Sequence, residues 1–92
     1  MPTVLKIGSL IFFFTSYDCI EPMHIHIVDG SKECKFWLQP ENVIILADNS
    51  GFGKKELQKI EKIIVENYEL IKTTWYEHCK DTKQKKYRKK NI

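Results

Sequence analysis

The apolar spacing of this chain changes once, near Gly51, and that change limits what it can fold into. Before it, β-branched and aromatic runs repeat with the period of strands. After it, apolar residues fall at Leu57, Ile60, Ile64, Tyr68, Ile71 and Trp75, with Ile63 and Leu70 flanking. That is the three-and-four spacing of a helix with one buried stripe. The pattern predicts an α+β fold: a small antiparallel sheet of four to five strands packed on one long C-terminal helix. A chain of 92 residues has room for one hydrophobic core. The expected organisation is a single domain over residues 1–80 and a basic, frayed or disordered tail over 81–92.

The turn residues divide the first half. Gly8-Ser9 separates strands over Thr3 to Ile7 and Leu10 to Thr15, the second apolar on both parities and therefore expected to be central, with a homodimer contact as one possible cover. Met23 to Val28 and Lys32 to Leu38 alternate on either side of Asp29-Gly30, a hairpin dipeptide. With Asp29 and Gly30 as the loop, His26 faces Glu33, Ile25 faces Cys34 and His24 faces Lys35, so apolar and polar faces match across the pair. Asn42 to Ala47 reads as a further strand closed by a turn at Asp48-Asn49-Ser50-Gly51.

Charge is uneven. Residues 1–50 carry three Lys against six acids, and residues 51–92 carry twelve Lys or Arg against six acids. Lys83, Lys85, Lys86, Arg88, Lys89 and Lys90 crowd the end, a polycation suited to RNA, DNA or an acidic partner. Cys19, Cys34 and Cys79 are odd in number and form no CxxC pair, which fits reduced thiols in a cytosol better than a disulfide framework. The apolar run from Leu10 to Phe14 is too short for a signal-peptide core or a membrane span, so the expected location is cytoplasmic.

Strand alternation sends His24 and His26 to the side away from the apolar stripe, together with Glu33, Lys35 and Trp37. In the predicted register one imidazole lies beside a carboxylate and the other beside an ammonium. That couple suits metal-independent RNA cleavage: one histidine takes the 2′-hydroxyl proton, the other protonates the leaving oxygen, Lys35 steadies the charged intermediate and Trp37 stacks a base. A metal site is a second reading, with the third ligand drawn from Asp18, Cys19, Glu21 or Glu33. The plainer alternative is a pair of histidines covering the sheet. His78 reads as a surface residue, and no cofactor is implied.

Pro2-Thr3-Val4, Phe12-Phe13-Phe14 with Ser16, Glu21-Pro22-Met23-His24-Ile25-His26-Ile27, Lys35-Phe36-Trp37-Leu38, Gly51-Phe52 and Glu56-Leu57 occur in order. In these elements the chain, from Pro2 to about Trp75, resembles the family known as domain of unknown function 4160. The resemblance implies a small bacterial cytoplasmic protein, often encoded beside another small protein as toxin and antitoxin pairs are. The expected function is a protein-interaction module, with the neighbouring gene product as a candidate partner. Two departures stand out: Gly53 replaces a serine that caps the helix in relatives, removing half of a capping box, and the lysine-rich end is longer than the family core.

Overall fold

The computed structural model describes residues 3–15 and 18–91, with backbone alone for residue 18 and residues 80–91. Five strands run in chain order: β1 (Thr3–Ile7), β2 (Leu10–Phe13), β3 (His24–Asp29), β4 (Lys32–Gln39) and β5 (Val43–Ser50). They form one antiparallel meander in which each strand pairs with its sequence neighbour, leaving β1 and β5 at the edges. Two helices follow, α1 (Lys54–Glu66) and α2 (Tyr68–Asn91). The fold is therefore α+β, as the change of period requires.

One face of the sheet and one stripe of the helices make the core. Phe12, Phe14, Ile25, Ile27, Phe36 and Leu38 meet Ile60, Ile63, Ile64, Tyr68, Ile71 and Trp75, all of them buried. Leu70, expected to flank the stripe, is 47% exposed instead. The expected single helix is interrupted at Asn67, whose backbone (φ −113°, ψ 20°) leaves the helical region. There the Asn67 side chain donates from Nδ2 to the Ile63 carbonyl at 2.8 Å, sharing that acceptor with the Asn67 N–H at 3.0 Å. The interruption spans one residue, because Ile71 N–H still bonds the Asn67 carbonyl, so the buried stripe continues across it. Tyr68 then ties the start of α2 to the end of β4, donating its hydroxyl to the Gln39 carbonyl at 2.7 Å.

The β3–β4 register differs from the predicted one by two residues. Asp29 pairs with Lys32 and stays in the strand, and Gly30-Ser31 makes the turn. Gly30, at φ 62°, supplies the positive φ that the first position of a two-residue hairpin needs. Asp29 is held in the strand by the opposite charge of Lys32 and by the Ser9 hydroxyl, which donates to Oδ2 at 2.9 Å. A shift of two keeps every side chain on its expected face and changes only which side chains stand opposite.

β5 also runs further than expected, through Ser50 where the sequence reads as a turn. A bulge between the Lys35–Asp48 and Phe36–Leu46 pairs absorbs Ala47, after which Asp48, Asn49 and Ser50 pair with β4. The turn chemistry acts one step later: Asn49 accepts from Phe52 N–H and donates to the Phe52 carbonyl. Gly51, at φ 101°, passes so close to Lys32 that a Cβ there would lie 3.0 Å from Lys32 Cγ.

Glu56 joins the helix start to the sheet. Its Oε1 accepts the Gly53 N–H at 2.9 Å, which is the half of the capping box that survives without a serine, and Oε2 accepts from Lys32 Nζ at 2.6 Å. The Gly53 N–H first and Lys32 second hold the Glu56 carboxyl below its ordinary 4.5, while the hydrogen bond to Glu56 lifts Lys32 above its ordinary 10.5. A lowered carboxyl contributes stability above its unfolded pKa and loses it as pH falls through the folded value; a raised lysine contributes below its unfolded pKa and loses it as pH rises through the folded value. Glu56→Gln is therefore expected to flatten the stability profile below pH 4.5 and above pH 10.5. Urea midpoints of both chains across pH check this, and parallel profiles would refute it.

Candidate interaction face

The segment between β2 and β3 is fastened at several points. Cys19 and Cys79 are joined by a disulfide spanning 60 residues of sequence, contrary to the expectation of reduced thiols. The pairing brings a loop and a helix together through tertiary packing, which cysteine spacing does not encode, and it removes the thiol argument for a cytosolic location. Cys34 stays free and buried, its thiol pushed up to about 12 first by burial and then by Glu33, which makes it a poor nucleophile. His78 is not a surface residue: it is half-buried, its Nε2 lies 2.9 Å from the Thr15 carbonyl and its ring stacks on Phe14 at 5.7 Å.

On the sheet face away from the core, the two-residue shift changes the charge pairs. His26 stands opposite Lys35, His24 opposite Trp37 and Val28 opposite Glu33. The predicted imidazole–carboxylate pair of His26 with Glu33 and the imidazole–ammonium pair of His24 with Lys35 are thus replaced. His26 stacks on Phe13 at 5.3 Å between centroids. Lys35 lies 4.4 Å above the Trp37 ring and donates to Glu21 Oε1 at 2.8 Å, clamping the loop over the face.

His24 is 0% exposed. Its Nδ1 donates to the Pro22 carbonyl at 2.8 Å, since a carbonyl can only accept, and its ring packs against His26, Trp37 and Trp75 at 5.0, 5.3 and 5.4 Å. The expectation of two imidazoles on one open surface fails here, because Trp75 of α2 and the Pro22 backbone cover the second ring. The four residues read as a cleavage site divide accordingly. His26, Glu33 and Lys35 share a hollow of about 330 Å³ with Cys34, Asp48 and Ser50, and His24 lies outside it. Trp37 is half-buried beside the hollow.

Among the described residues no group of three His, Cys, Asp or Glu side chains converges as metal ligands. Of the proposed third ligands, Cys19 is consumed by its disulfide, and the side chain of Asp18 lies outside the described residues. The side chains of Lys83, Lys85, Lys86, Arg88, Lys89 and Lys90 also lie outside them, although the backbone of α2 runs on to Asn91. Among the described residues, no helix is long and apolar enough to cross a membrane.

The feature that sequence reading missed is the exposure of β5. Val43, Ile45 and Leu46 are 45%, 43% and 43% exposed on an edge strand of eight residues. Four consecutive apolar residues suggest a covered strand; their position as the last strand of a meander is the signal that they lie at an edge. Ile45 pairs with Trp37 and Asp48 with Lys35, so the open edge runs directly into the outer face.

The family model described as a domain of unknown function (DUF4160) matches residues 9–76, from the β1–β2 turn to Tyr76 in α2. The chain belongs to this family. The DUF4160 match takes in β2 to β5, the clamped loop and the stretch of α2 that covers His24. Comparison with curated proteins and with solved structures found no match.

Proposed function

We propose that this chain is a protein-interaction module that receives its partner on the β5 edge and the adjoining outer face. The observation that supports this reading is the eight-residue edge strand with Val43, Ile45 and Leu46 each more than two-fifths exposed. An unpaired strand edge offers main-chain donors and acceptors to an incoming strand, and apolar side chains there are stabilised only when something covers them. A catalytic reading needs two solvent-reached imidazoles and finds only His26 in the hollow.

Covering the exposed two-fifths of Ile45 contributes roughly 1 kcal/mol and burying an ammonium in its place costs more, so Ile45→Lys is expected to weaken association at this edge by about tenfold to a hundredfold. Binding titrations of both chains measure it. Equal affinity would remove β5 from the interface.

A further inference from the structure

Of the two edges, only β5 is built to adhere. β1 has five residues and carries Lys6, and a charge on an edge discourages strand addition. β5 carries no charge and no proline from Val43 to Ala47. Its apolar side chains also lie on both faces: Ile44 and Leu46 pair with the core-facing Leu38 and Phe36, while Val43 and Ile45 pair with the outward Gln39 and Trp37. A strand that completes this edge must itself be apolar on both faces over the same short span. β5 is such a strand.

We infer that the occupant of the β5 edge is a second copy of this chain, paired antiparallel about a two-fold axis at Ile45. The inference rests on the reading of β5 as an interaction edge and names what fills it. Opposed residues in a continuous sheet share a face, which restricts the register when the two strands are identical. With the axis at Ile45, that residue meets its own copy on the outer face, Ile44 meets Leu46 on the core face, and Val43 meets Ala47.

Charges fall outside the apolar block in this register, because Asp48 lies beyond the pairing of Val43 with Ala47, and Glu41 precedes the strand. An axis at Leu46 sets Ile44 against Asp48 and Val43 against Asn49. An axis at Ile44 confines strand pairing to Val43, Ile44 and Ile45, because Glu41 and Asn42, at φ 64° and 60°, have left the strand conformation. Of these axes, only the one at Ile45 keeps the whole apolar block from Val43 to Ala47 together. It also extends the outer face, since Trp37, Ile45 and their copies then form one row across the axis.

The test uses the full chain. Light scattering across micromolar to millimolar concentrations should give twice the 10.9 kDa chain mass at the upper end. Ile45→Lys should return it to one chain mass, with dimer dissociation at least tenfold more favourable and an unchanged circular dichroism spectrum. Where that variant fails to fold, Ile45→Cys provides a second reading, because oxidation should link the two copies at the axis, whereas Lys6→Cys on β1 should give no link. A dimer untouched by Ile45→Lys, or linked through the β1 variant, overturns the inference. A single chain mass throughout also overturns it. In that case, loss of capture of the neighbouring gene product in Ile45→Lys leaves the interaction module standing, and unchanged capture removes both.

Discussion

Trp75→Ala is expected to destabilise the fold by about 3–5 kcal/mol, the usual cost of truncating a large aromatic in a core. The indole is 6% exposed and meets Phe14 edge-on at 5.2 Å and His24 at 5.4 Å. It therefore joins three parts of the molecule: the end of β2, the start of β3 and the middle of α2. Truncation leaves a cavity against two rings and also removes the cover from His24, admitting water to an imidazole that is sealed in the native state. Because small domains are stable by only about 5–15 kcal/mol in total, a loss of this size brings the variant close to unfolding at room temperature. Urea titration gives the value directly. The control is Tyr76→Ala, one residue away and 55% exposed, which should move stability by no more than about 0.5 kcal/mol. Similar losses for the two variants would show that α2 does not present Trp75 to the core.

The contrast between those two neighbours is legible in the sequence, because helical period places Trp75 on the stripe and Tyr76 off it. The same holds for the faces of β3 and β4: alternation alone sends Ile25 and Phe36 inward and His26 and Lys35 outward, and a register error of two residues leaves that unchanged. What pattern cannot supply is the identity of cross-strand neighbours. Asp29 could begin the turn or end the strand, and the choice depends on Lys32 and Ser9, whose positions are tertiary. His24 shows the larger limit. Its parity is outward, yet it is buried, because a helix residue fifty-one positions later and a loop carbonyl close over it. Periodicity describes an element's own faces; it does not say what another element lays across them. The interruption at Asn67 lies between these cases, since asparagine in a helical run is a visible weakness, but that its backbone leaves the helical region shows only in the fold.

Removing the Cys19–Cys79 crosslink is expected to cost about 2–4 kcal/mol. Constraint of the unfolded chain grows with the logarithm of the enclosed loop, and for the 60-residue separation here the chain-entropy relation gives about 4 kcal/mol, near the upper end of what native crosslinks contribute. The choice of variant matters. Cys79 is 3% exposed, so replacing it would add the cost of a buried hydroxyl or a cavity to that of the lost bond. Cys19 is only half-buried, and Cys19→Ser leaves the Cys79 thiol packed where it is. The native-state contacts of the loop should persist in part, because Lys35 still reaches Glu21 and His78 still reaches the Thr15 carbonyl. The loss should therefore appear as a lower urea midpoint, with faster amide exchange concentrated near residues 18–22. Thiol counting decides the premise separately. In denaturant without reductant, alkylation should label Cys34 alone, and after reduction all three cysteines. Three labels without reductant would show that the bridge is open in the isolated protein, and the wild type and Cys19→Ser should then have the same midpoint.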